Sequence, residues 1–579
     1  MIPQSFRLTL PLIILMLSGA SFSSMPLLAG NGEGDLDVST VPVLRYWVFF
    51  ADRGPQVEAR LDALKTQPAR LWSEAALQKR QQKGIDVSKS DLPVWSAYVE
   101  ALESLPGVEV RQQSRWFNAV SVELADPSVL ESIKVLDAVR AIEPVGRYVY
   151  REEPVLEQPI STAMQRSNLD VIDVPGFYGE GWNQAEMIGV DFLWKKGFDG
   201  EGMTVAIFDA GYRGMDTIEA FRWLWEANRI VDYWNFQDNN DSIFDFSSHG
   251  TAVQSCVTAN SPGELVGTAP GVNLCLYITE VAAFENIIEE DHWVAAAERA
   301  ETFGVDVINT SLGYTTFDDP AQNHTYEDMD GNTTIISRGA DMAAKKGMLV
   351  VTSAGNSGNN PWYYISAPAD GDSVLAVGAV DENRVVTDFS GHGPSSDGDV
   401  KPNVGARGRS SWIINQSGNF AQASGTSFSA PIMAGAAAAL WQAFPEASNM
   451  EIFDAIQRSA DQYNNPDDEL GYGIPNFRTA YYILEARTAS AQQGAMVFLP
   501  NPVVDAGLLF SNDLFAGEAL IRVHDANGQE RYRLETTLDA AGSHVFRIEG
   551  FRDWAPGVYI VSIDMEGLRR ETKVIRPGY

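Results

Sequence analysis

Cysteine and histidine are scarce in this chain of 579 residues, which carries two of the first and six of the second. Two thiols make no disulfide framework, and without a dense histidine cluster they offer no structural zinc set. Cys256 and Cys275 sit in apolar, regular segments and read as buried free thiols, with pairing as the alternative. Positive charge is also short: 42 Lys plus Arg stand against 77 Asp plus Glu, a net charge of −35. Such a chain repels nucleic acid and anionic membranes, which argues against both as partners. Long apolar runs are missing. LTLPLIILML, behind Arg7, is ten residues long, and no later stretch approaches the ~18 needed for a transmembrane helix. With small residues Ser18 and Ala20 following, residues 1–23 read as a secretory signal and the rest as an exported, non-integral protein.

What is present supports a sizeable core, with 45% hydrophobic and 21% charged residues. Residues 41–150 read as a small α/β unit: LRYWVFF, WFNAVSVEL and VRAIEPV as strands, WSAYVEALESL and PSVLESIKVL as helices. Residues 151–177, with Pro154, Pro159 and Pro175, suit a linker. From 178 to 487 short apolar strands (MTVAIFDA, VNLCLYIT, VDVINTSLG, MLVVTSAGN, SVLAVGAV) alternate with helices such as VAAAERAETFG and IISRGADMAAKKG. That alternation predicts a parallel sheet flanked by helices, with sites at the carboxyl ends of its strands. Residues 496–579 change to hairpin strands, one pair turning at Asn527-Gly528, and predict an all-β sandwich.

SGTSFSAPIMAG, residues 424–435, crowds Gly, Thr, Ser and Pro at the mouth of an alanine-rich helix. A helix cap with proline in the first turn explains that; so does a serine nucleophile held at a helix N-terminus. A serine nucleophile needs a base and an orienting acid. His249 opens a helical run in SSHGTAVQSCV, and Asp209 ends the strand MTVAIFDAG, where Gly211 permits a sharp turn. Each alone reads as structural: a surface histidine, a turn aspartate.

Together, VAIFDAG, HGTAV and SGTSFSAP, in the order Asp, His, Ser, resemble the subtilisin-like serine proteases, over the whole parallel α/β region. The resemblance implies Ser427 as nucleophile rather than Ser429, His249 as general base and then acid, and Asp209 as the orienting carboxylate. It also implies Asn356, in VVTSAGNSG, as an oxyanion donor beside the Ser427 N–H; the alternative is a Gly-Asn turn. Ser311, Leu312 and Gly313 would pair with an extended polypeptide substrate. Ser366, in YYISAPAD, would lie at the floor of the primary specificity pocket and leave room for a large apolar side chain. Ile432 stands where many members carry histidine, at a structural position.

No cofactor is expected for catalysis. The loops FQDNNDSIFD and YEDMDGN offer hard oxygen ligands suited to structural Ca²⁺, with solvated acidic turns as the alternative. The glycines of GFDGEG precede a strand and make no dinucleotide fingerprint. Residues 41–150 resemble an inhibitor-type subtilisin propeptide, which implies an intramolecular inhibitor and a zymogen. The tail, in LPNPVVD, RVHDANGQE and APGVYIVSI, resembles the sorting domain of proteins exported by type IX secretion, although KVIRPGY departs from the usual basic ending. That resemblance makes the secretion machinery a partner and the cell surface or medium the destination. Two other readings remain at this point. A silent binding or adhesion protein on the same fold would have no need of all four site residues. An esterase or amidase would not need the strand-forming SLG edge.

Overall fold

Val205 and Ile207 point to one side of the strand Thr204–Asp209 and Ala206 and Phe208 to the other, and all four are buried. Alternation across a strand with both faces apolar requires cover on both sides. The strand sits inside a seven-stranded sheet, ordered Val404–Arg407, Val374–Val380, Leu349–Ser353, Val307–Thr310, Thr204–Asp209, Asn273–Ile278, Ile230–Asn235. Every pairing in it is parallel. On one face lies the helix Thr426–Ala443, buried all round and built largely of alanine, which lets it approach the strands closely. Helices Ile288–Phe303 and Ile335–Lys345 cover the other with Ala296, Ala297, Ala300, Ala340 and Ala343.

The computed structural model describes residues 44–145, 174–281, 286–318, 320–489, 496–504, 506–538 and 541–578. The signal expected over 1–23 and linker residues 151–173 lie outside these. Residues 174–177 of that linker belong to a short helix, Val174–Tyr178.

The amino-terminal unit is a four-stranded antiparallel sheet ordered Val108–Ser114, Ala119–Leu124, Leu44–Phe50, Val139–Pro144. Val48, Phe50, Val120 and Val122 pack against Val99, Leu102 and Ile133 of helices Ser96–Glu103 and Val129–Lys134. The opposite face, Trp47, Phe49 and Ala119, packs against Ile288 of the large α/β unit. Two helices not anticipated from sequence, Val57–Thr66 and Glu74–Gln82, form a further lobe around Leu61, Leu64, Trp72, Ala76 and Leu92.

The carboxy-terminal residues form the expected sandwich. One sheet holds Met496–Leu499, Gly507–Leu514 and Gly542–Ile548; the other holds Glu530–Leu538, Gly517–Asp525, Gly557–Met565 and Leu568–Arg576. Gly528 takes a positive φ of 79° at the predicted hairpin turn. Leu508, on the strand Gly507–Leu514, buries its side chain in the large core, and Val545 packs against the same core. Among the described residues no helix is long and apolar enough to cross a membrane.

Candidate active site

Asp209 is wholly buried at the carboxyl end of its strand, and His249 is the first residue of the helix His249–Thr258. Two glycines bring these ends together. A Cβ on Gly211, at φ 152°, would lie 2.5 Å from the Ser247 nitrogen, and one on Gly250 would lie 2.9 Å from the Asp209 Cβ. His249 Nδ1 is 2.9 Å from both Asp209 oxygens. A carboxylate there can only accept, so Nδ1 carries the hydrogen and Nε2 is left as the base. Burial pulls the imidazolium down, but the Asp209 charge and hydrogen bond outweigh it and push the pKa up to about 9.

Gly425 leads into the helix Thr426–Ala443 at φ 149°, and Ser427 is the helix's second residue. Pro431 has no N–H to give the Ser427 carbonyl four residues earlier. Ser311 supplies the missing donor: its Oγ donates to Ser427 O at 2.9 Å, while Ser427 Oγ donates to Ser311 O at 3.2 Å. The Ser427 hydroxyl is thus parked on the Ser311 carbonyl, with no hydrogen bond to His249 among the described residues. The Phe428 ring centroid lies 5.9 Å from that of the imidazole. Ser429 is fully buried and donates to Thr426 O at 3.0 Å, out of reach of any substrate.

Asn356 follows the strand Leu349–Ser353. Its Oδ1 accepts from the Thr426 N–H at 2.8 Å and the Thr426 hydroxyl at 3.0 Å. The backbone N–H can only donate, so the amide orientation is settled and the NH₂ faces the open side. A cleft of about 270 Å³ runs beside Asn356 and Ser427, and Ser311, Leu312, Gly313 and Ser366 all line it. The Ser366 hydroxyl on its wall is buried, where the sequence suggested room for a large apolar group.

The amino-terminal unit meets the helix Ile288–Phe303 through that helix's carboxylates. Trp47 and Ser121 donate to Asp291, Ser114 and Arg115 to Glu298, and Arg80, Arg115 and Trp116 to Glu301. Burial pushes Asp291 up to about 8 despite the Ser121 and Trp47 hydrogen bonds, and raises Glu298 as well. The unanticipated lobe reaches the amino ends of the central strands, where Lys79 and Lys83 pair with buried Asp306, Lys83 at 3.1 Å. From the large unit, Lys346 pairs with Asp91 of the lobe.

The two acidic loops close their own turns. Asp328 caps Thr325, Asp330 accepts from the Asn332 and Thr333 N–H groups, and Asp238 exchanges hydrogen bonds with Asn235. Among the described residues the carboxylates close enough to share an ion are Asp372, Asp397 and Asp399, all exposed and in neither loop. Both cysteines are buried and free. Burial pushes the Cys275 thiol up to about 12 and that of Cys256 higher still, so neither is a nucleophile at neutral pH.

Sequence reasoning missed Thr426 as the residue that orients Asn356, and Thr315 and Thr316 in the cleft wall. It also missed the carboxylate row under the amino-terminal unit, although three acidic residues in the otherwise apolar face of one helix are a legible signal.

Residues 200–473 match the Peptidase S8 subtilase family, and residues 45–158 match the Peptidase S8 propeptide domain of Bacteroidota. Subtilisin DY of Bacillus licheniformis is 30% identical over 290 residues, covering 50% of this chain and 93% of that protein. Thermitase of Thermoactinomyces vulgaris is 31% identical over 272 residues, covering 46% of this chain and 83% of that one. Among solved structures, fervidolysin from Fervidobacterium pennivorans, a keratinolytic enzyme related to subtilisin, superposes with a TM-score of 0.51 at 18% identity. That match covers 92% of this chain and 76% of fervidolysin, and speaks to the fold. A subtilisin-like sheet, a propeptide domain ahead of it and relatives that are serine proteases lead to one conclusion: the chain belongs to the subtilase family and is a serine endopeptidase.

Proposed function

We propose that Ser427 is the nucleophile of peptide hydrolysis, with His249 as its base and Asp209 as the group that fixes the imidazole. The observation that carries this reading is His249 Nδ1 held on both Asp209 oxygens, its ring 5.9 Å from that of Phe428, the residue next to a serine that lines the cleft. Ser427 Oγ swings from the Ser311 carbonyl to His249 Nε2, gives up its proton there and attacks the scissile carbonyl. The Asn356 NH₂ and the Ser427 N–H stabilise the oxyanion. Collapse of the tetrahedral intermediate breaks the C–N bond, and the imidazolium returns its proton to the leaving amine. Water, deprotonated by His249, then hydrolyses the acyl-enzyme and restores the serine. Ser311, Leu312 and Gly313 offer backbone to an extended substrate.

The amino-terminal unit, residues 41–150, acts as an intramolecular inhibitor until the 151–177 segment is cut. Its support is the buried set of ion pairs and tryptophans described above. The sandwich, residues 496–579, carries none of the reacting groups and serves export by type IX secretion after the signal at 1–23 is removed. Its motifs support that role.

Fluorophosphonate labelling of processed protein tests the nucleophile. Ser427→Ala should abolish labelling and proteolysis with the fold intact, and Ser429→Ala should leave labelling in place. Labelling that survived Ser427→Ala and disappeared with Ser429→Ala would overturn the assignment.

A further inference from the structure

Between the strand Val307–Thr310 and the helix Ile335–Lys345 the chain makes a long excursion, with only the short turns Pro320–Gln322 and Tyr326–Asp328 wound among its described residues. Ser311, Leu312, Gly313, Thr315 and Thr316, from its first part, line the cleft. A surface loop keeps one position only where packed structure outside it holds it. Tyr314 exchanges two backbone hydrogen bonds with Ala367. Beyond it the chain swings out and comes back at His324, whose N–H donates to Thr315 O at 2.9 Å, while the Phe317 N–H donates to Asn323 Oδ1 at 2.7 Å. The His324 ring packs edge-on against Phe317, with centroids 5.3 Å apart, and Phe317 lies parallel to Tyr314. Its Nε2 donates to Glu290 Oε1 at 2.5 Å, and Glu290 Oε2 accepts from the Ile336 N–H at 3.1 Å.

Glu290 is 1% exposed on the helix Ile288–Phe303, and so belongs to the packed cover of the sheet rather than to the loop. Desolvating a carboxylate and an imidazole costs about what their attraction returns, so such a pair adds little stability over apolar side chains of the same size. What it supplies is direction, because a ring donor meeting a fixed acceptor permits one placement of the loop. Without His324, Glu290 Oε1 would have no donor among the described residues, a costly state for a buried carboxylate. Resting on the reading of Ser311, Leu312 and Gly313 as the edge that an extended substrate pairs with, we propose that His324 is a positioning residue for peptide binding. It holds Thr315 through its backbone and Glu290 through its ring, and so sets the line along which the substrate backbone lies. Among the described residues it bonds to none of the reacting groups, so its effect falls on binding and not on the chemical step.

The test uses processed enzyme and two anilides with the same residue at the scissile bond: a blocked tetrapeptide that can lie along the edge, and a blocked single amino acid that cannot. His324→Leu keeps the bulk and removes the ring donor, whereas His324→Gln keeps an N–H where Nε2 stands. For the tetrapeptide, His324→Leu should raise KM about tenfold with kcat changed less than about twofold, and His324→Gln should bring KM back to within about threefold. The single-residue anilide should show no comparable rise. KM does not depend on how much of a preparation is folded, so poor folding of the leucine variant cannot imitate the result. An unchanged tetrapeptide KM in His324→Leu overturns the proposal. So does a fall in kcat as large as the rise in KM, an equal rise for the single residue, or a glutamine variant no better than the leucine one. Each of these leaves the edge standing as long as the unaltered enzyme binds the tetrapeptide more tightly than the single residue. A tetrapeptide bound no more tightly by the unaltered enzyme strikes the edge itself, and the proposal falls with it.

Discussion

Ser311 and Ser427 are joined by two hydrogen bonds that run in opposite directions, hydroxyl to carbonyl each way. One of them replaces the helix bond that Pro431 cannot make. Ser311→Ala should therefore strand a buried carbonyl and cost about 1–3 kcal/mol in urea unfolding. Adding Pro431→Ala restores a backbone donor to the same carbonyl. The double variant should then recover part of the loss, and a double-mutant cycle reads the coupling.

Thr426 touches no substrate in this arrangement, yet its hydroxyl and N–H both hold the Asn356 oxygen. Asn356→Leu should lower kcat by ~10²–10³ with KM little changed, the cost measured for the corresponding donor in a subtilisin. Thr426→Val keeps the N–H and loses the hydroxyl, so a smaller fall in kcat, about tenfold, is expected, equivalent to ~1.4 kcal/mol. Steady-state kinetics on peptides separates the two.

His249 must be neutral to act as a base, and its pKa stands at about 9. The kcat/KM of processed enzyme should rise with pH and level off above about 9. Stability should move the other way. The pKa is raised on folding, so the stabilisation is complete below the unfolded value of about 6.5 and is lost as pH climbs through the folded one. A pH–rate profile and thermal unfolding across the same range check both signs.

Detachment of the processed amino-terminal unit should be pH-dependent with a sign set by Asp291, raised to about 8 while covered. Exposed, such a carboxyl titrates near 3.9. Binding then takes up a proton, and the complex weakens as pH rises from about 4 to about 8. Asp291→Asn should flatten that dependence in gel-filtration measurements of the two-chain complex. Lys79→Ala with Lys83→Ala leaves Asp306 buried without a counter-charge. Breaking a pair in this way costs about 3–5 kcal/mol, so release should be at least tenfold easier.

Truncation after residue 489 removes the sandwich and with it Leu508, which the large core accommodates beside the helix Phe477–Ala489. The truncated enzyme should cleave peptides at a near-normal rate but unfold at lower temperature. In the native host it should be retained in the cell envelope. Normal amounts of truncated protein in the medium would remove the sorting role.

The order Asp209, His249, Ser427 was legible because each residue ends or begins an element whose pattern is strong in sequence. The strand before Asp209 is apolar from Val205 to Phe208, and the helix that carries Ser427 is rich in alanine. The edge strands Ile230–Asn235 and Val404–Arg407 were not legible. The first carries Asp232 and Asn235 among its residues, and the second is only four residues long. The lobe around Trp72 escaped for another reason. Its helices are short and bury few residues, and they are held by Lys79 and Lys83 meeting Asp306 more than two hundred positions away, a pairing no local period announces. The orientation of Asn356 is equally remote, since the residue that fixes it lies 70 positions further on.

Gly211 lies directly against the backbone of Ser247. The two ends of the intervening stretch are therefore clamped beside the reacting groups. Its far turn, where Asn239 is exposed with a positive φ, carries none of that clamp. Lengthening a surface loop whose ends are already fixed costs little. The turn around Asn239 is accordingly a place where the chain can accept inserted sequence, even a whole small domain, without altering the distance between Asp209 and His249.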